Sequence, residues 1–161
     1  MNVGEIRCVL VPVTEAELLL PNAAVAEVAS YSAPEPIAGT PDWMPGTVLW
    51  RGWQVPLIHF SVLAGLAEQE DPSSARLCVL KSLIGSERMP YFALLAQGFP
   101  RLTTVDHSSM TPMEGSDHAK GIAGRVLVEG NTAIVPDLDQ LADLGVQGAF
   151  GALSISDPPS L

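Results

Sequence analysis

Short apolar runs rich in β-branched residues recur along the chain, and Gly and Pro residues separate them every ten residues or so. Runs of about four to eight such residues, bounded by turn-forming residues, are typical of β-strands. The pattern predicts nine strands, at Ile6–Val13, Glu17–Leu20, Thr47–Trp50, Val55–Phe60, Arg76–Leu83, Tyr91–Ala96, Arg101–Val105, Ile122–Val128 and Ala133–Val135. Many strands with few helices indicate a mainly β fold, either a barrel or a sandwich.

Three short helices are predicted from capping residues and apolar spacing. Asn22–Ala29 and Ser61–Glu68 each begin with a residue suited to an N-cap, and Gly65 weakens the middle of the second. Asp137–Leu144 follows a proline, carries one apolar stripe and is expected to end at Gly145.

The polar segments between these elements indicate how the chain is organised. Gln69–Ala75 is a loop that we expect to divide the chain into two halves, and His107–Ala119 is a longer loop. Residues 146–161, rich in Gly, Ser and Pro, are expected to form a flexible tail. No internal repeat is visible by inspection.

Composition narrows the class of protein. The length of 161 residues favours one domain, and a hydrophobic content of 47% with 16% charged residues excludes disorder for most of the chain. The net charge is −10 and no window clusters three Lys or Arg, so nucleic acid and anionic membranes are excluded as partners. No apolar run approaches the ~20 residues of a membrane span, and no signal peptide is recognisable, which predicts a cytoplasmic protein.

The sequence offers little catalytic chemistry. Cys8 and Cys78 lie inside apolar runs, which predicts two buried, reduced cysteines, and common nucleophile, phosphate-loop and zinc motifs are absent. Two Asp-His pairs, Asp106-His107 and Asp117-His118, could supply imidazoles to a metal, but nothing offers a third ligand at a suitable spacing. His59 is expected on a strand as a hydrogen-bonded structural residue.

Carboxylate pairs elsewhere in the chain give no catalytic signal either. Glu15/Glu17 and Glu68/Glu70 are expected on solvated loops or strand edges. We therefore predict no enzyme, no metal and no cofactor.

Arg51 stands out because it is the only cation between Arg7 and Arg76 and is flanked by Trp50 and Trp53. Exposed Arg and Trp residues dominate interaction hot spots, whereas an Arg beside a buried-edge indole can simply stack on it. The residue types fit both roles equally well. Gly52 indicates the turn of a hairpin between the two neighbouring strands.

The segment Gly46–Phe60, which reads GTVLWRGWQVPLIHF, resembles the signature of CheW-like domains. Arg51, Gly52 and Pro56 fall on its arginine, glycine and proline. A Thr-Pro turn precedes the signature at Thr40, Val25–Val28 fits the family's V-x-E-[IV] segment, and the likeness extends over about residues 4–145.

This resemblance implies a fold and a function. CheW-like domains consist of two small five-stranded SH3-like β-barrels packed together, here divided near residues 69–75, with short helices that include one near the C-terminus. They are non-catalytic adaptors that couple the tips of methyl-accepting chemoreceptors to the regulatory domain of a CheA-type histidine kinase, and they bind other CheW-like proteins. The family's contact positions fall on Val25, Glu27, Val28 and Arg51, with Trp50, Gly52 and Trp53 as neighbours.

The chain departs from the family pattern at three positions. Leu49 replaces the usual Asn, His59 the usual Asp, and Gln97 an Asp in the second half. With few charges and many prolines, the chain is similar to ChpC-type accessory adaptors of the chemosensory system that controls type IV pili and twitching motility. The alternative from another class is a β-barrel that binds a small ligand, or a hydrolase that uses His59 and the Asp-His pairs. That alternative predicts a deep, mainly apolar pocket.

Overall fold

The computed structural model describes residues 4–82, 89–106, 110–113 and 119–151 of the chain. Eleven strands lie in these ranges: β1 (Ile6–Val13), β2 (Ala16–Pro21), β3 (Val25–Ser30), β4 (Gly46–Trp50), β5 (Trp53–Ile58), β6 (Arg76–Lys81), β7 (Tyr91–Ala96), β8 (Arg101–Val105), β9 (Met110–Pro112), β10 (Ile122–Val128) and β11 (Asn131–Pro136). The helices are α1 (Phe60–Leu63) and α2 (Leu138–Val146), with a 3-10 turn at Asn22–Ala24 and a π-helical turn at Gln147–Gly151.

The strands form two sheets, which confirms the prediction of a mainly β fold. One sheet has the order β8-β1-β2-β11-β10-β9 and the other the order β3-β6-β7-β5-β4. Each sheet encloses a small apolar cluster of its own, and a larger central cluster takes side chains from both sheets and from both helices. This arrangement fits two packed barrels. The sixth strand of the first sheet is β9, which lies inside the segment predicted as a long loop.

The two sheets share one topology, because the second half of the chain repeats the first. Strands β1 to β5 correspond in order to β6, β7, β8, β10 and β11, and a helix follows the last strand of each set. In both sheets the middle pair is antiparallel (β1·β2 and β6·β7), and the next contact is parallel (β2·β11 and β7·β5). Each half therefore donates its first two strands to the sheet of the other half.

This exchange corrects the predicted boundary between the barrels. The segment at residues 69–75 does not separate them, since β6 follows it and pairs with β3, which precedes it. It separates the two repeats instead. Strand exchange across the boundary means that neither sheet is a continuous stretch of the chain.

The prediction of a helix over Asn22–Ala29 is wrong. Only Asn22–Ala24 form a 3-10 turn, and Val25–Ser30 form β3, whose residues pair with β6 from Val25↔Leu80 to Ser30↔Arg76. Small residues made the segment look helical, but the ladder with a strand about fifty residues later outweighs that local preference.

The second predicted helix is shorter than expected and begins elsewhere. Its N-cap position is His59 rather than Ser61, which lies inside α1 and donates its hydroxyl to the carbonyl of Thr14. Gly65, at φ 76°, follows the end of α1. His59 consequently lies after β5, not on the predicted strand.

The C-terminal helix is confirmed, with a different end. The Asp137 carboxylate accepts the backbone N–H of Gln140 at 3.0 Å, as expected of an N-cap. Gly145 does not end the helix. A side chain there would meet Pro56 at about 3.3 Å, so the glycine lets α2 approach β5 closely. Of the predicted tail, Val146 lies in α2 and residues 147–151 form the π-helical turn; the remainder lies outside the described residues.

Both cysteines are buried and unpaired, as predicted. Burial raises the pKa of the Cys78 thiol to about 12 and also raises the pKa of Cys8. The two thiols therefore pack as small apolar groups in the folded protein.

Candidate functional site

The hairpin between β4 and β5 turns at Arg51 and Gly52, as the sequence predicted. Their φ angles are 47° and 83°, and Trp50 and Trp53 form the closing pair of the hairpin. Positive φ at both central residues is the requirement of a type I′ turn, which matches the twist of the flanking strands. Glycine adopts this conformation freely, whereas arginine rarely does. The turn therefore holds the Arg51 side chain at the tip of the hairpin.

Glu27 on β3 binds both Arg51 and Trp50 through its carboxylate. One oxygen accepts the indole N–H of Trp50 at 2.9 Å, and the other accepts a guanidinium N–H of Arg51 at 2.7 Å. The guanidinium also lies over the Trp50 ring, 5.2 Å from its centroid. We call these three residues the Glu27 clasp. Because β3 and β4 are the two outer strands of the five-stranded sheet, the clasp joins its opposite edges.

The clasp fixes charges at the surface. The indole N–H of Trp50, and then the guanidinium of Arg51, lower the pKa of Glu27 below its ordinary value of 4.5, because both stabilise the ionised carboxylate. The Arg51 side chain remains 68% exposed while it is held in place. Both roles considered from the sequence are thus compatible, because Arg51 stacks on an indole while most of its side chain is exposed to solvent.

Tyr91 on β7 supports both tryptophans. Its ring meets that of Trp50 edge-on with centroids 4.8 Å apart, and that of Trp53 at 6.0 Å. Trp50 is nearly buried, and Trp53 is 36% exposed beside it. Sequence analysis missed Tyr91, because nothing local to β7 indicates that its first residue faces a hairpin about forty residues earlier.

The three predicted contact residues on β3 lie on two opposite faces of that strand. In the ladder with β6, Glu27 lies opposite Val79, which faces the interior of the five-stranded sheet. Val25 and Val28 lie opposite Leu80 and Cys78, which belong to the central core. The structure therefore brings Glu27, Trp50, Arg51, Gly52 and Trp53 together and leaves the two valines, both half-buried, on the other face.

Of the remaining sequence candidates for catalysis or metal binding, the structure describes His59 and Asp106, and neither belongs to a group that could hold a metal ion. His59 is half-buried, and burial lowers the pKa of its imidazole, while the Glu70 carboxylate opposes this shift. Of the two Asp-His pairs, only Asp106 is described; His107, Asp117 and His118 lie outside the described residues. Within the described ranges, no three His, Cys, Asp or Glu side chains are grouped so that they could hold a metal ion.

Glu70 corrects another expectation. It was predicted to be solvated, but it is only 5% exposed and accepts the backbone N–H of Thr14 at 3.0 Å. This bond ties the segment between the two repeats to the turn between β1 and β2. The carboxylate thus fixes the connecting segment against the β1–β2 turn.

Grooves of several sizes open at the surface of the described residues, and one of about 350 Å³ is lined mainly by apolar residues such as Leu20, Val135 and Leu138. An apolar groove lined by Ile37, Met89 and Ala149, among others, encloses about 230 Å³, below the ~300–1,000 Å³ of typical small-molecule sites. A larger groove of about 520 Å³ is lined by polar residues such as Asn22, Thr103 and Glu129. No helix among the described residues is long and apolar enough to cross a membrane.

Comparison with known proteins gives two matches and one negative result. The profile of the CheW-like domain matches residues 7–145. The fold is similar to that of the scaffolding protein TtCheW from Thermoanaerobacter tengcongensis, with a TM-score of 0.70 and 17% sequence identity over 86% of this chain and 87% of that one. No curated protein has a significantly similar sequence. At this identity the structural likeness concerns the fold alone.

Proposed function

Because the chain belongs to the CheW-like domain family, we propose that it is a non-catalytic adaptor that couples chemoreceptors to a CheA-type histidine kinase. In this proposal the protein transmits signals through contacts alone, and no bond is made or broken on it. Its partners are the regulatory domain of the kinase, the tip of a methyl-accepting chemoreceptor and other CheW-like proteins. It acts in the cytoplasm, in receptor arrays at the inner membrane.

The Glu27 clasp is the observation that carries this proposal. It presents an exposed Arg51 beside a partly exposed Trp53, and Arg and Trp are the residue types that contribute most to protein interfaces. Since the turn and the carboxylate already order the side chain, a partner would bind it with a reduced loss of conformational entropy.

The valine face of β3 offers a separate contact. We assign the chemoreceptor tip to the face that carries Val25 and Val28, and the kinase regulatory domain to the face that carries Arg51. The register of β3 supports two faces, since the valines and Glu27 lie on opposite sides of the strand. One adaptor could then hold both partners at the same time.

We further propose an accessory role of the ChpC type, in a system that controls type IV pili and twitching motility. Support comes from the departures from the family pattern. Leu49, at the position of the usual Asn, is 67% exposed beside the clasp, and His59 replaces an Asp at the start of α1. An exposed leucine there gives this surface a more apolar character than an amide would.

Calorimetric titration against the regulatory domain of a CheA-type kinase from the same cell tests the proposal. Arg51→Ala should weaken binding about 5- to 30-fold, which corresponds to a hot-spot contribution of about 1–2 kcal/mol. Glu27→Gln, which breaks the ion pair and keeps Arg51, should weaken binding less. Lys120→Ala, which removes another exposed cation, serves as the matched control and should leave the affinity unchanged.

Two results of this titration would contradict the proposal at different levels. Equal affinity of wild type and Arg51→Ala would remove Arg51 from the kinase contact. Absence of any binding to the kinase domain by folded wild-type protein would contradict kinase coupling itself. Circular dichroism of each variant checks that its fold is intact before the titration.

A further inference from the structure

The two repeats of the fold are interlocked, and one short segment of chain connects them. The first repeat runs from β1 to α1 and the second from β6 to α2. Among the described residues, four ladders join a strand of one repeat to a strand of the other: β1·β8, β2·β11, β3·β6 and β5·β7. Neither sheet is therefore complete without strands from both repeats.

Residues 69–75, which we call the hinge segment, carry the chain from the first repeat to the second. Within this segment, the backbone N–H of Ala75 donates to the carbonyl of Pro72 at 3.2 Å. This bond closes a turn that has Ser73 and Ser74 at its centre. The hinge segment of the closed monomer thus contains a tight turn that an extended segment would lack.

Glu70 makes the closed conformation of the hinge segment costly. Its side chain is buried, and one carboxylate oxygen accepts the backbone N–H of Thr14. The other oxygen is also buried and has no hydrogen-bond partner among the described residues, which raises the free energy of the closed conformation. Extension of the hinge segment would return this carboxylate to water. Pro72 favours extension, because it keeps the preceding Asp71 out of the helical conformation.

We propose that two copies of the protein exchange repeats through an extended hinge segment, so that the first repeat of each copy pairs with the second repeat of the other. The resulting dimer keeps the four ladders between repeats and the central apolar cluster, and only the hinge segments change conformation. Trp50 and Trp53 lie in the first repeat, and Tyr91, which contacts both, lies in the second. Each Glu27 clasp of the dimer is thus supported by Tyr91 of the other copy.

Protein concentration should decide between the closed monomer and the exchanged dimer. A short flexible connection holds two partners at an effective concentration on the order of 1 mM, so the dimer should become populated as the protein approaches that concentration. Exchange requires the four ladders to separate, so we expect it to occur during folding and to be slow in the folded protein. The two forms should then separate by gel filtration. This inference does not depend on the kinase or receptor contacts.

A pair of cysteines across one of the ladders between repeats tests the exchange. Arg7 on β1 lies opposite Thr104 on β8, and both residues are exposed. Opposite residues of antiparallel strands have Cα atoms about 4.5–5.5 Å apart, a distance that a disulfide spans. The protein with Arg7→Cys and Thr104→Cys is refolded at about 1 mM with reductant, separated by gel filtration and then oxidised. On a denaturing gel the dimer fraction should give two covalently linked chains, whereas the monomer fraction should give single chains.

A second pair of cysteines provides the matched control. Leu49 and Gln54 are exposed and lie opposite each other within the first repeat. The disulfide formed in the protein with Leu49→Cys and Gln54→Cys should stay within one chain in both fractions. Covalent dimers that appear only with the first pair would therefore report the exchange of repeats.

The length of the hinge segment should shift the balance between the two forms. Deletion of Ser73 and Ser74 removes the turn and should raise the ratio of dimer to monomer about tenfold or more at a given concentration. Insertion of a flexible Gly-Ser stretch between the same two residues should give no more dimer than the wild type.

Two results would overturn the proposal. Only monomer after refolding at about 1 mM, for the wild type and for a folded hinge-deletion variant, would show that the repeats are not exchanged. A dimer of the Arg7→Cys, Thr104→Cys protein that crosslinks only within single chains would be a dimer of closed monomers. If the deletion prevents folding, the wild type refolded at about 1 mM decides the question. Loss of kinase binding with intact exchange would contradict the proposed function alone.

Discussion

Gly46, at the start of β4, allows the clasp hairpin to pack against the preceding segment, and alanine at this position should be severely destabilising. The backbone φ of Gly46 is 154°, and an added Cβ would lie only 2.0 Å from the carbonyl oxygen of Glu35. Glu35 and Thr47 exchange two backbone hydrogen bonds, of 2.7 and 3.1 Å. Relief of the clash requires the Glu35 segment to move away, which breaks this bridge.

The cost has two parts. A non-glycine residue in this backbone conformation costs about 1–3 kcal/mol. Loss of two backbone hydrogen bonds adds about 0.5–1.5 kcal/mol each. Gly46→Ala should therefore lower the free energy of unfolding by about 4 kcal/mol, a large share of the ~5–15 kcal/mol of a typical domain.

Urea unfolding with Gly39→Ala as the matched control measures the effect. Gly39 also has a positive φ, 87°, but an added Cβ would meet nothing within 4 Å, so only about 1–2 kcal/mol of strain is expected. With a slope of about 2 kcal/mol per molar urea, the midpoint should fall by about 2 M for Gly46→Ala and by less than 1 M for Gly39→Ala. A Gly46→Ala protein that is as stable as Gly39→Ala would refute the steric reasoning.

Three further predictions concern the clasp, the cysteines and the C-terminal helix. Because folding lowers the pKa of Glu27, the clasp stabilises the protein fully above the ordinary pKa of 4.5, and this stabilisation is lost as the pH falls below that value. Glu27→Gln should therefore flatten the dependence of the thermal unfolding temperature on pH in this range. An unchanged dependence would contradict a stabilising role of the clasp. Burial should keep Cys8 and Cys78 unreactive toward a thiol reagent at about pH 8 until the protein is unfolded, so rapid labelling of native protein would contradict their packing. Asp137→Ala should lower the free energy of unfolding in urea by about 1 kcal/mol, because it removes the N-cap of α2. Asp139→Ala, which removes a first-turn carboxylate without a capping bond, should lower it less. Equal losses would show that the cap contributes nothing.

The sequence predicted correctly those elements that depend on interactions between residues close together in the chain. The strand Ile6–Val13 was predicted with its observed bounds, because a long β-branched run between turn residues has few alternatives. Asp137 was recognised as a cap because the bond it forms lies within one turn. By contrast, β3 was mistaken for a helix, since the ladder that makes it a strand depends on residues about fifty positions away.

The sequence named the three residues of the Glu27 clasp as candidate contact positions, but it did not predict that they contact one another. The family signature singled out Arg51, and the V-x-E segment singled out Glu27, but spacing in sequence does not show that they form one ion pair. Tyr91, whose ring contacts both tryptophans, was missed entirely. The repeat that relates the two halves of the chain is visible in the strand order and was not visible by inspection of the sequence, so the fold reveals it.

Recruitment of the kinase to receptor-containing membranes is the measurement that tests the adaptor proposal most directly. Membranes bearing a chemoreceptor are sedimented with a CheA-type kinase in the presence and absence of this protein. We expect the kinase to sediment with the membranes only when the protein is present, and its recruitment to fall with Arg51→Ala while the adaptor itself still sediments. A folded wild-type protein that binds receptor membranes and leaves the kinase in the supernatant would contradict the account.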